Sequence, residues 1–157
     1  AAAPTGDGVE NLTLMSPPQP LWTRESQAWA YEQLSYGHHH IDEQLLQASV
    51  AAAEAARRNG LCGDITPDHP LAISIMQAKS RFFSVAREDG VKVPTQLIWA
   101  KNDPLISVDH GLWLYRVIAA RQRLAQFHLI NRSGSFPFRE QPAEFVRLLD
   151  AFHNGVA

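Results

Sequence analysis

Cysteine is nearly missing from this chain: Cys62 stands alone among 157 residues. One thiol cannot close an intrachain disulfide, which fits a reducing compartment, and a cytoplasmic location is the expectation. Long apolar runs are missing as well. None approaches the roughly 18 residues needed to cross a bilayer, so no transmembrane helix is expected. The N-terminus carries neither a basic region nor an apolar core, so it is not a signal peptide. It also lacks a starting Met, and Ala1-Ala-Ala-Pro reads as the middle of something longer. The net charge of −2 removes any electrostatic case for nucleic acid or an anionic membrane surface. Internal repeats and low-complexity tracts are absent.

What is present is the composition of an ordinary globular domain. Apolar residues make up 45% and charged residues 19%, and the length suffices for one domain with a core. Residues 1–22 hold four of the ten prolines together with Gly6 and Gly8, which predicts a loop or extended linker. Thr23 can cap a helix that carries Trp29, Leu34 and Tyr36 and ends near Gly37. Asp42 opens the strongest helix, with Ile41, Leu45, Leu46, Val50 and Ala53 at helical spacing and an end signal at Asn59-Gly60. Thr66-Pro67 opens a third helix, whose apolar side is supplied by Ile73, Ile75, Met76, Phe82 and Phe83. Residues 86–92 read as a polar loop.

The second half changes grammar. Val93-Pro-Thr-Gln-Leu-Ile-Trp-Ala-Lys-Asn-Asp103 reads as a strand over 94–100, apolar on both faces, that runs into turn residues. A helix over 108–121 follows, capped by Ser107 or Asp109. A strand over 125–131 leads into Arg132-Ser-Gly-Ser-Phe-Pro-Phe-Arg-Glu, and a last helix begins after Gln141-Pro142. This β-loop-α-β-loop-α order predicts a parallel α/β sheet. Ligand-facing groups in such sheets sit beyond the carboxyl ends of the strands, where Asp103 and Ser135 fall. Adjacent parallel strands lie about 4.8 Å apart, so the two loops can touch. The plain alternative is that Asp103 caps a turn and Ser135 fills one. The run His38-His39-His40 invites a metal reading, but adjacent residues point in different directions, which favours a surface or pocket-lining role. Neither a metal nor another cofactor is expected.

Residues 93–152 resemble the C-terminal end of the α/β-hydrolases. Val93 to Asp103 is similar to that family's strand ending in G-x-x-D, with Ala100 where Gly is usual, and Asp103 matches the acid of a Ser-His-Asp triad. Phe127 to Phe145 resembles the family's ending, a Gly-His pair followed by an aromatic residue and a later E-x-P-x-x-F. Gly134, Phe136, Glu140, Pro142 and Phe145 match it. Ser107-Val-Asp-His-Gly-Leu, with the aromatic after position 135, looks most like the carbon–carbon bond hydrolases of aromatic catabolism, which cleave meta-cleavage products. Their helical cap corresponds to residues 23–90 here, and Ile41-Asp-Glu-Gln-Leu-Leu-Gln is similar to one of its helices. That group usually holds the substrate carboxylate with an Arg shortly after this segment. Ala48, Ser49 and Val50 stand there instead, with no Arg until Arg57, which leaves esters and other diketones open.

Ser135 occupies the position at which the resemblance puts the catalytic His. A serine hydroxyl cannot take a proton near neutral pH and return it as an imidazolium does. Three readings remain: an engineered His→Ser change that traps substrate, a natural pseudoenzyme, or a different base, with His110 and His128 nearby in sequence. Phe136, Trp22, Trp29 and Phe82 are candidates to line an apolar pocket, with plain core packing as the alternative. No G-x-S-x-G occurs, so the nucleophile elbow of the family has no counterpart.

The resemblance therefore implies the C-terminal portion of an α/β-hydrolase fold: a linker at 1–22, a helical cap at 23–90 and part of the core at 91–157. A second polypeptide, an N-terminal hydrolase segment carrying the nucleophilic Ser, is the partner expected to complete the sheet. A small apolar or aromatic carbonyl compound is the expected substrate, and further oligomerisation stays open. The competing class is a non-catalytic ligand-binding protein on the same fold.

Overall fold

A computed structural model describes residues 16–60 and 70–156. Most of the predicted linker, Cys62 and the proposed Thr66-Pro67 helix start lie outside these residues.

Two helices open the described chain. Thr23 caps α1 (Arg24–Leu34) by accepting the Ser26 N–H, and Asp42 caps α2 (Glu43–Arg58) by accepting the Leu45 N–H. Each cap satisfies a donor that the first helical turn would otherwise leave open. The two helices pack on one another. Leu45 and Leu46 of α2 are buried, Tyr31 of α1 meets Ser49 of α2 at 3.0 Å, and Arg24 pairs with Glu43 at the surface. The first helix ends at Leu34, one turn before the predicted Gly37, because the chain turns extended at Ser35.

The third helix, α3 (Pro70–Glu88), corrects the reading of residues 86–92 as loop from position 86. Ala86 is 1% exposed, and this burial carries the helix through a segment whose composition looks polar. The stop comes at Gly90, where a φ of 75° suits glycine and the backbone N–H returns to the Val85 carbonyl. It packs on the helix that follows the first strand.

That strand, β1 (Thr95–Ala100), pairs in parallel with β2 (Ala125–Ile130), Thr95 opposite Ala125 and Ala100 opposite Ile130. Between them runs α4 (Val108–Ala119), and after β2 come a four-residue helix, α5 (Pro137–Glu140), and α6 (Pro142–Val156). Sequence periodicity did not predict α5, which is too short to show any.

Helices cover both faces of the sheet. On one face α4 lies so close that a Cβ at Gly111 would sit 2.6 Å from the Trp99 ring and 2.9 Å from the Phe127 ring. On the other, Gln96 donates to the Leu148 carbonyl of α6 at 2.9 Å. Ala100, Leu114, Ile118, Ile130 and Leu148 are buried between these layers. The strand read as apolar on both faces is buried only at Ala100, and the rest of β1 is half-buried. The cause is geometric: among the described residues β1 has a neighbour on one edge only.

Candidate functional site

The site forms where the two strands end. Pairing continues beyond them, as Lys101 N–H donates to the Ile130 carbonyl and Asn102 N–H to the Ser133 carbonyl, at 2.8 and 2.9 Å. This zipper holds the two loops together past the last formal strand pair. Asp103 then turns the chain. Its Oδ1 accepts the N–H groups of Leu105 at 2.9 Å and Ile106 at 3.2 Å, the side-chain turn that Asp before Pro favours. Trp99 braces the same loop by donating its indole N–H to the Ile106 carbonyl at 3.2 Å.

Ser135 reaches Asp103 from the other loop. Its hydroxyl donates to the same Oδ1 at 3.0 Å. The sequence-predicted pair is thus in direct contact, and the turn-capping alternative for Asp103 holds at the same time. One carboxylate oxygen does both jobs.

The loop bearing Ser135 is anchored to the end of α1. Ser135 N–H donates to the Leu34 carbonyl at 2.7 Å. A Cβ at Gly134 would lie 2.3 Å from that same carbonyl oxygen and 2.8 Å from Tyr36 N, so only glycine allows this approach. Glu140, 2% exposed, closes the junction. Its Oε1 accepts Gly134 N–H at 2.7 Å, and its Oε2 accepts Tyr36 N–H at 2.8 Å and Gly37 N–H at 2.9 Å. In the sequence Glu140 stands out only as a motif match. Its three donors lie far from it along the chain or in a loop, so no local pattern announces them.

Phe136 follows Ser135, and its ring packs against Tyr31 at 5.0 Å and His40 at 5.9 Å between centroids. His40 is 8% exposed, and its Nε2 meets Ser35 Oγ at 2.9 Å. Burial pulls its pKa below the ordinary histidine value, with the Glu140 charge opposing that shift. His38 and His39 are exposed, so the histidine run diverges.

The remaining candidates lie elsewhere. Trp22 stacks under the Arg57 guanidinium, 5.2 Å from its ring centroid. Trp29 borders a shallow hollow with Pro17, Leu21 and Leu34. Phe82 lines a separate apolar hollow with Ile75, Phe83, Leu97, Leu114 and Ile118. Neither hollow is bordered by Asp103, Ser135 or Phe136. Of the two alternative bases, His110 Nδ1 meets Ser107 Oγ and His128 Nε2 meets Gln126 Oε1, both at 3.0 Å.

The fold that carries this contact has counterparts among solved structures. No known family model matches the sequence. The chain is 33% identical to monoacylglycerol lipase ABHD6 of Bos taurus over 82 residues, which make up 52% of this chain and 23% of that protein. In three dimensions it is similar to the meta-cleavage product hydrolase CumD of Pseudomonas fluorescens IP01. There the TM-score is 0.56 at 17% identity, over 96% of this chain and 51% of that one. It is also similar to CarC, a serine hydrolase involved in carbazole degradation, with a TM-score of 0.59 at 17% identity, over 97% of this chain and 60% of that one.

The chain therefore has the α/β-hydrolase fold, as its C-terminal portion. It spans about half the length of the solved hydrolases it resembles, and its match covers about a quarter of the curated relative. No helix among the described residues is long and apolar enough to cross a membrane.

Proposed function

We propose that this chain carries the acid and the base position of a Ser-His-Asp hydrolase that cleaves an ester or carbon–carbon bond next to a carbonyl. Ser135 stands in place of the base. The observation that carries the reading is the hydrogen bond from Ser135 Oγ to Asp103 Oδ1 at 3.0 Å. An imidazole at position 135 would start from a loop already held against a carboxylate whose own direction is fixed by two backbone N–H groups. Such a carboxylate selects the tautomer of the base and stabilises its charged form during proton transfer. The hydroxyl present instead cannot cycle a proton, so the chain as it stands is inactive or holds its substrate uncleaved.

The nucleophilic serine and the oxyanion donors belong, in this reading, to an N-terminal hydrolase segment pairing with the free edge of β1. A cytoplasmic setting and a small apolar or aromatic carbonyl substrate are parts of the same proposal. Phe136 is the pocket-lining residue that this reading retains, because it adjoins position 135. Residues 23–90 supply the cap over that pocket in the same reading.

Restoring the base tests the reading. Ser135→His, combined with a nucleophile-bearing N-terminal segment, is expected to gain hydrolysis of model esters or 1,5-diketones by several orders of magnitude over the unchanged pair. Continued silence of a folded, assembled pair would favour the ligand-binding reading. That second reading draws on the same contact, since the Ser135 hydroxyl already has a partner in Asp103 and needs no reacting group to satisfy it.

A further inference from the structure

We propose that Glu140 is a positioning residue for position 135, acting by locking the loop 133–135 onto the end of α1. Its carboxylate is buried and accepts three backbone N–H groups. One comes from Gly134, directly before Ser135, and two come from Tyr36 and Gly37, directly after α1. Each oxygen serves one side of the junction: Oε1 holds the loop and Oε2 holds the helix end. The Ser135 N–H to Leu34 carbonyl bond and the glycine-only approach at Gly134 make the same junction from the opposite direction.

The chemistry requires a carboxylate. Turned either way, a glutamine amide would aim its NH2 group at a backbone N–H on one side of the junction, because only one of its two terminal atoms accepts. Glu140→Gln keeps the volume and breaks one half of the clamp. The loop then loses its fixed distance to Asp103, although Glu140 itself touches neither Asp103 nor the side chain of Ser135 in any hydrogen bond of the site.

The proposal rests on reading position 135 as the base site, and its test needs no nucleophile. Ser135→His places a titratable imidazole beside Asp103, and its NMR titration in the full chain reports their contact, because a nearby carboxylate raises an imidazole pKa. Glu140→Gln is then added, with Asp103 intact and with Asp103→Asn. Removing the Glu140 charge alone would lower the imidazole pKa equally in both backgrounds. Positioning predicts a downward shift at least about threefold larger when Asp103 is present. Faster amide exchange at Gly134, Tyr36 and Gly37 together should accompany it.

Equal shifts in the two backgrounds would overturn the proposal and leave the hydrolase reading untouched. An inactive assembled pair with unequal shifts would do the reverse. Glu140→Asp keeps two acceptor oxygens on a shorter arm and is expected to restore part of the coupling. Loss of folding in both Glu140 variants would overturn positioning in favour of a purely architectural role.

Discussion

Ser135 and Asp103 meet at 3.0 Å across the tips of two adjacent parallel strands, and the oxygen they share already accepts two backbone N–H groups. The carboxylate is therefore an architectural centre as well as a candidate catalytic one. Removing it strands three donors in a partly buried loop, whereas removing the hydroxyl strands none.

The first prediction follows from that asymmetry. Asp103→Ala should lower stability by about 1–3 kcal/mol and Ser135→Ala by less than about 1 kcal/mol. Asp103→Asn should fall between them, because its amide oxygen can still accept from Leu105 and Ile106. Urea denaturation of the three variants gives the order. A larger loss for Ser135→Ala than for Asp103→Ala would contradict the assigned hydrogen bonds.

Gly134 supplies the second. An added Cβ would meet backbone atoms of Leu34, Ser35 and Tyr36 at 2.3–2.9 Å, and backbone cannot swing aside as a side chain can. Gly134→Ala should therefore cost on the order of 2–3 kcal/mol, or detach the end of α1 from the loop. Gly60→Ala is the control. It has open space around it and a φ of 67°, so only backbone strain opposes it, at about 1 kcal/mol. Thermal melts and amide exchange at Ser135 distinguish the two variants.

A third prediction concerns pH. Burial lowers the His40 pKa in the folded chain, so between that value and the ordinary one near 6.5 the unfolded chain binds more protons. Stability is then fully present above about pH 6.5 and declines as the pH falls towards the folded-state pKa. Denaturation midpoints between pH 5 and 8 should trace this decline, and His40→Gln should flatten it. A midpoint that rises on acidification and flattens with the same substitution would reverse the assigned direction.

Much of the architecture was legible because it is written locally. Thr23 and Asp42 announce their helices by side-chain caps, and the apolar runs ending at Ala100 and Ile130 announce strands that stop at turn residues. Asp103 and Ser135 were legible as a pair because parallel topology places both at one end of a sheet. The clamp at Glu140 was not, since its donors at Tyr36 and Gly37 lie about a hundred residues away. The run of α3 through Ala86 was hidden for a related reason: burial, rather than local composition, sustains it. The aromatic candidates were open between pocket lining and core packing, because a sequence does not say what a ring faces: Trp22 lies against Arg57, and Phe82 borders an apolar hollow that Asp103 and Ser135 do not line.

That hollow leads to the last prediction. Phe82 is 43% exposed and Ile75 48%, and with Phe83, Leu97, Leu114 and Ile118 they border an apolar recess of about 480 Å³. Beside it runs the edge of β1 that has no partner among the described residues. An open strand edge next to apolar surface recruits other chains unless something covers it. The chain in isolation should therefore self-associate as its concentration rises, visible by sedimentation or light scattering. Phe82→Glu should weaken that association while leaving the helical signal in circular dichroism unchanged, because the residue is too exposed to hold the core. Addition of a hydrolase N-terminal segment that pairs with β1 should suppress self-association in the unchanged chain. A chain that stays monomeric at high concentration, with or without Phe82, would mean that this recess and edge need no covering partner.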